Sequence, residues 1–463
     1  MLLIKPSWML GVVCACSAVS ATATDLLQVY DRATVADPLI QQAAATHLAV
    51  RETRTQALIG LLPIDLTANK FWQGVGNQAI TTPATASLSL AVNLFSWNSW
   101  VALKSADATV AQGEANYLSA QQSLVQRVTS QYFAVLAAQD TLSAQQSALQ
   151  SAQIQFDQAD QRFKVGLIAI TDVEIARASR DTTAAAVIAA KRALATQQDL
   201  LRAITGESYG TLAAPGDDLP LLSPEPASED AWVTTAMEQN ASLIASRMAS
   251  EISRDSLLAA YGGHVPTIGI NVYRNWALEH GNFTPPIEAE SLLGTLTPLS
   301  GSTDTIWQIG VSVPIFSMGA TQSKVRQARY TWDAAKAGLD FTSRQTEEQT
   351  RDAYQGVLSQ ISQVQALKQA VASSRVSLQA TEAGYAVGTK TAVDVLTSRE
   401  LRVQAETNYA QAKYAYLDDI VSLRLAAGSI DRHTVEMING WLTETTSDQP
   451  SPSPPSVPSA TEP

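Results

Sequence analysis

Phe163-Lys164-Val165-Gly166-Leu167-Ile168-Ala169-Ile170-Thr171-Asp172-Val173 has a second version in the same chain, Tyr385-Ala386-Val387-Gly388-Thr389-Lys390-Thr391-Ala392-Val393-Asp394-Val395. Val165/Val387, Asp172/Asp394, Arg177/Arg399, Leu201/Leu423, Arg202/Arg424 and Gly206/Gly428 are each 222 positions apart, so the window aligns without a gap. Tyr132/Tyr354 keeps the same offset, and Phe95-Ser96 matches Phe316-Ser317 at 221. An internal repeat of this length predicts two halves built on one supersecondary plan.

Each copy reads as a tight turn between two long helices. Proline is absent from Ala84 to Ala214 and from Ile315 to Gln449, and both stretches are rich in good helix formers. From about Trp100 to Phe163 only Gly113 interrupts, which predicts one helix roughly 95 Å long at ~1.5 Å per residue. Leu103, Val110, Tyr117 and Leu124 recur every seven residues and lead into Val128, Tyr132 and Val135, a coiled-coil stripe. Gly166 and Gly388 are expected to stop their helices by taking positive φ. Thr171 and Thr391 are the expected N-caps of the returning helices.

Outward from the turns, short alternating segments precede each long helix. Ile64, Leu66 and Ala68 alternate with polar neighbours after Pro63, and Ala86, Leu88, Leu90, Val92 and Leu94 alternate before Phe95. In the second half Ile268, Ile270 and Val272 alternate after Pro266, followed by Trp307, Ile309, Val311, Val313 and Ile315. Strands of about ten residues with one apolar face suit a membrane barrel. For any single strand an ordinary sheet with one face on a core is the better reading, and it is four such strands in symmetric pairs beside long helices that favour the barrel. Four strands cannot close a barrel, and open edges in lipid leave backbone groups unpaired. A membrane reading therefore requires strands shared among two, three or four chains.

Residues 1–23 resemble a secretory signal, with an apolar run from Trp8 to Val19 and Ala21-Thr22-Ala23 as its cleavage site. The only cysteines, Cys14 and Cys16, fall inside it, which removes disulfide and thiol chemistry from the mature chain. Acylation at Cys16 is the alternative processing, on a poor lipobox. The remaining plan is a first repeat over 24–225 and a second over 226–440. The prolines between Pro215 and Pro226 form the linker, Asp230–Leu258 is helical again, and a Pro/Ser-rich tail without fixed structure spans 441–463.

A formal net charge of −12, with no basic cluster among aromatics, argues against nucleic acid. His47, His264, His280 and His433 are scattered without metal-ligand spacing, and no nucleophile or phosphate-loop motif is present, so neither a metal, a cofactor nor catalysis is expected. Asp172 and Asp394 each lie near a helix start. A capping role explains either one, and a ring of aspartates around an assembly axis would make a cation-selective constriction. An elongated secreted scaffold without channel activity also fits these patterns.

The two turn motifs resemble the helix-turn-helix segments of the TolC family of outer-membrane efflux proteins. The likeness extends through Leu201-Arg202-Ala203-Ile204-Thr205-Gly206, Leu26–Pro38 and His264-Val265-Pro266-Thr267, and covers nearly all of Thr24–Gly428. It implies an α+β fold, with a homotrimer sharing four strands per protomer in a twelve-stranded outer-membrane β-barrel. The barrel would continue into a long α-helical coiled-coil barrel across the periplasm. Implied partners are outer-membrane lipid, a periplasmic adaptor of the membrane fusion type and an inner-membrane pump of RND, MFS or ABC type. The implied role is an exit duct for drugs or proteins. Carried over residue by residue, Tyr385 would bond Asp172 and Lys390 would reach a neighbouring protomer's Thr171 and Asp172, closing a gate. Asp394 would form the constriction that binds cations. Val165, Gly166, Leu167, Val387, Gly388 and Thr389 would meet the adaptor. The family has an arginine where this chain has Lys390, which predicts a weaker lock, and a second acidic ring where it has Thr397, which predicts a less negative constriction and a less tight cation block.

Overall fold

A computed structural model describes residues 23–61, 63–69, 72–75, 78–81, 85–216, 219–277, 304–315 and 318–443. The expected signal segment with Cys14 and Cys16, the Phe316-Ser317 match and the tail from 444 onward lie outside them.

Helices dominate. α1 (Leu26–Ala36) and α2 (Pro38–Ile59) meet at Asp37, whose carboxylate caps Leu39 with proline at the first helical position. α3 (Trp97–Lys164) runs unbroken for 68 residues, about 100 Å at ~1.5 Å per residue. Ser96 caps its start, accepting from the Ser99 amide. Gly113 does not interrupt it. A Cβ there would come within 2.7 Å of Val50 Cγ1, so the missing side chain lets α2 lie close along the upper part of α3. α4 (Ile170–Thr205) returns along the lower part. In the second half α6 (Ala241–Tyr261), α7 (Ala320–Ala386, 67 residues) and α8 (Ala392–Ala426) repeat the arrangement.

The helical stretch expected over Asp230–Leu258 forms, as two helices. α5 (Glu229–Gln239) ends and α6 begins at Asn240, which is in the extended region at φ −63°, ψ 117° and caps the Leu243 amide. Asn competes with the helix backbone through its own side chain, and here it also donates from Nδ2 to Ala426 O. The proline linker is not free-running either. Ala214–Pro215 (β5) pairs with Leu442–Thr443 (β8), which lies in the segment expected to be without structure. The Tyr416 hydroxyl accepts from the Leu222 amide and pins the linker.

The core is a belt at mid-height. Leu26, Val29, Tyr132, Phe133, Val357, Tyr416, Leu417 and Val421 are buried there, with α1, α5 and α9 (Arg432–Asn439) wrapped around the long helices. The Tyr132 hydroxyl donates to Ala213 O at 2.7 Å or Thr24 O at 3.1 Å, joining α3 to both wrapping segments. Below the belt the buried positions of α3 shrink to Ala148, Ala152 and Ala159, the small residues a close coiled coil needs.

Above the helices lies a four-stranded antiparallel sheet in the order β1 (Ile64–Asn69), β4 (Thr85–Phe95), β6 (Thr267–Ala277), β7 (Asp304–Ser312). β2 (Trp72–Val75) and β3 (Gln78–Thr81) pair with each other in a hairpin outside that ladder. Rows across the sheet keep one face apolar: Ile64–Leu90–Val272–Trp307, then Val92–Ile270–Ile309. The opposite face carries Thr67 and Ser87, whose hydroxyls meet at 2.6 Å, and Asn271 beside Gln308. Among the described residues of these four strands, no side chain is buried. Trp307 and Ile309 stand 73% and 72% exposed.

Candidate functional site: the helical turns

The two turns at the far end of the helices share one backbone design. Gly166 and Gly388 have φ of +78° and +81°. In the first turn the Leu167 amide donates to Arg162 O at 2.9 Å and Gly166 to Phe163 O at 2.8 Å. In the second, Thr389 donates to Gly384 O at 2.9 Å and Gly388 to Tyr385 O at 3.1 Å. This is the Schellman pattern, in which glycine takes the left-handed conformation without a Cβ penalty. Its geometry leaves the apolar residues flanking the glycines turned outward: Leu167 is 74% and Val387 76% exposed.

The helix starts differ, and the expectation for Thr171 is corrected. α4 begins at Ile170 with Ala169 as N-cap and no side-chain bond, so Thr171 lies inside the first turn. α8 has Thr391 as N-cap in a full capping box: its hydroxyl accepts from the Asp394 amide, and Asp394 Oδ2 accepts from the Thr391 amide at 2.8 Å. Thr391 is the repeat mate of Ala169, not of Thr171; the pairing was legible in the 222-residue offset. The two aspartates consequently have different tasks. Hydrogen bonds from Thr391, backbone first and side chain second, with Lys390 nearby, hold the Asp394 carboxyl below the usual aspartate range. The Asp172 carboxylate makes no hydrogen bond or ion pair within the described chain.

Tyr385 and Asp172 line one narrow cleft with Gln155, Ala176 and Leu396. The hydrogen bond expected between them is not made within the single chain; Arg162 instead lies over the Tyr385 ring at 5.6 Å. Near the turns a polar link between the hairpins is Arg399. From α8 its guanidinium donates to Ser151 O at 3.2 Å and Gln155 Oε1 at 3.0 Å on α3, and to Glu382 Oε1 at 2.6 Å on α7. The side chain is only 17% exposed. The site reading of the sequence missed this residue, although the repeat had marked it. Its mate Arg177 stays within its own hairpin, pairing with Glu174 on α4 and lying over Phe156 of α3.

No helix among the described residues is long and apolar enough to cross a membrane, and no group of His, Cys, Asp and Glu among them could hold a metal. The geometry is a conduit wall: an amphipathic sheet at one end, two coiled-coil hairpins at the other.

The family profile described as "Outer membrane efflux protein" matches residues 29–207 and 232–429. The chain belongs to that family. It is 32% identical over 427 residues to the outer membrane protein TolC of Vibrio cholerae, covering 91% of this chain and 94% of the relative. It is 25% identical over 449 residues to the alkaline protease secretion protein AprF of Pseudomonas aeruginosa, covering 93% and 90%. The Campylobacter jejuni CmeC outer membrane channel superposes with a TM-score of 0.71 at 16% identity, covering 96% of this chain and 98% of that one. This efflux-family protein is an outer-membrane exit duct with an α+β channel fold, and its family is one of channels, not of enzymes. Such channels are trimeric and work with pumps and adaptors.

Proposed function

We propose that three copies of this chain close one twelve-stranded barrel and that the helical turns form its gated periplasmic mouth. The observation that carries this is the sheet itself, with one apolar face, unpaired edges on β1 and β7, and no buried side chain among its described residues. In water such a sheet has nothing to hold it together; in lipid its edges must pair. β1 of one copy meeting β7 of the next satisfies both edges and puts the apolar face on lipid. The mature chain begins near Thr24, and 24–225 and 226–440 act as matching halves of the wall.

At the mouth, Lys390 reaches a neighbour's Thr171 and Asp172. Tyr385 closes on Asp172, whose carboxylate is free to accept. Asp394 supplies the cation-binding ring, and Val165, Gly166, Leu167, Val387, Gly388 and Thr389 meet a periplasmic adaptor that links the duct to an inner-membrane pump of RND, MFS or ABC type. Drug efflux and protein secretion both fit, because the pump selects the cargo. Replacing Tyr385 by Phe together with Lys390 by Ser tests the gate in planar bilayers. Single-channel conductance should rise several-fold, since a charged hydrogen bond contributes on the order of 1.5–3 kcal/mol and the assembly repeats it three times. Wild-type conductance in the double variant would remove these residues from the gate.

A further inference from the structure

Among the described residues, the apolar face of the sheet carries one cation. Its rows run Ile64–Leu90–Val272–Trp307, then Leu66–Leu88–Arg274–Thr305, then Ala68–Ala86–Trp276. Arg274 is exposed, and among the described residues no carboxylate pairs with it. Its guanidinium lies 5.5 Å from the Trp276 ring centroid, so the side chain leans along β6 away from the helices. On a lipid-facing surface an arginine is costly at the bilayer centre and nearly free at the interface, so its depth decides what it can do.

Register fixes that depth. On β7 and its extension, Ile315, Val313, Val311, Ile309 and Trp307 point to the apolar side, and all are exposed. Thr305, the next residue on that side, lies in the row of Arg274. Ten residues at ~3.4 Å each, tilted roughly 35–45°, rise about 25 Å along the membrane normal, the height of the apolar band of such barrels. Arg274 thus stands at the outer rim, with Trp276 and Trp307 beside it as interfacial aromatics. Exposed Trp97 and Trp100 mark the helix-side rim.

We propose that Arg274, held outward by Trp276, binds the phosphate of a phosphorylated lipid headgroup in the outer leaflet. A guanidinium presents paired N–H donors that match phosphate oxygens, and its stem and Trp276 cover the adjoining acyl region. The chemistry required of the partner is a phosphate at the acyl boundary on an amphiphile, not a free anion. The proposal rests on the closed-barrel reading, and heat-resistant migration of each variant as a trimer tests that reading separately.

The test is a titration of detergent-purified trimer with a diphosphorylated lipid A glycolipid, followed by native mass spectrometry. Wild type should bind, and Arg274→Gln should bind about tenfold more weakly, the loss of one charge-assisted hydrogen bond. Arg274→Lys should fall between them. The same glycolipid stripped of phosphate should bind wild type no better than the phosphorylated form binds Arg274→Gln. Equal affinity of wild type and Arg274→Gln for the phosphorylated lipid would overturn the proposal. So would displacement of that lipid by inorganic phosphate at equal concentration, since the site would then be for a free anion.

Discussion

Arg399 joins the hairpins close to their turns, so its loss should loosen the mouth more than the loss of the Tyr385 hydroxyl alone. Three hydrogen bonds from one poorly exposed guanidinium span α8, α7 and α3. Arg399→Ala should raise single-channel conductance above that of Tyr385→Phe, and Arg399→Lys should recover it only partly, because a point charge cannot serve three acceptors in fixed directions. Conductance unchanged in Arg399→Ala would reduce the residue to a packing role. Asp394 needs a test that spares its cap. Asn keeps an acceptor for the Thr391 amide and removes the charge, so Asp394→Asn should abolish most of the block by a multivalent cation while trimers form normally. An unaltered blocking constant would leave the residue a cap only. Asp255 makes a third case, fully buried with Lys104 at 2.8 Å and its Oδ2 without a partner. Lys104→Met leaves a buried charge unpaired and should destabilise by about 3 kcal/mol, less whatever water reaches the half-exposed lysine. Adding Asp255→Leu should restore much of the loss in thermal melts; a double variant no better than the single would refute this account.

At the scale of elements, the packing of α8 against α3 and α7 sets a pH dependence. Burial first, then the charges of Asp418 and Asp352, push the Asp419 carboxyl up to about 6 from 3.8. Asp418 is raised by burial too, and Ser130 on α3 donates to it. A carboxyl raised in the folded state makes the unfolded chain the readier acid. Stability is therefore full below the unfolded value of 3.8, declines as pH rises toward about 6, and stays lower above it. Asp419→Asn should raise the melting temperature at pH 7.5, raise it less at pH 5 and leave it unchanged near pH 3.5. A benefit independent of pH would mean that the substitution acts through packing.

For the whole molecule, the two ends of one chain need opposite surroundings. The helical body has its own mid-height core, whereas the described part of the sheet has none. Isolated protomers in water should thus keep helical circular dichroism while the strands expose apolar surface, and trimers should form only with detergent or lipid. Outer-membrane extracts run without boiling should show a heat-resistant trimer band. Introducing proline at Ile309, on the edge strand β7, should abolish that band by removing a donor from the protomer-to-protomer ladder. A persistent trimer in that variant would place the contact elsewhere.

The amino-acid sequence by itself determined whatever depends on a few neighbouring residues. The left-handed glycines at 166 and 388, the unbroken 68-residue helix, the Thr391 cap and the strict alternation of the strands all follow from local sterics and period. So did the likeness between halves, since equal sequences at equal spacing build equal turns. Only the tertiary structure decided which distant segments meet. It placed β4 beside β6, so that the two halves share one sheet, and paired β5 with β8 across the linker and the last described residues. It broke the α5–α6 run at Asn240, where a side-chain bond to Ala426 competes with helix propensity. It also separated two arginines that the repeat makes equivalent: Arg177 stays within its own hairpin, over Phe156 of α3, while Arg399 crosses to the other hairpin. Helix and turn energies are summed along the chain, but a guanidinium's partners are set by packing between elements hundreds of residues apart, which no local pattern encodes.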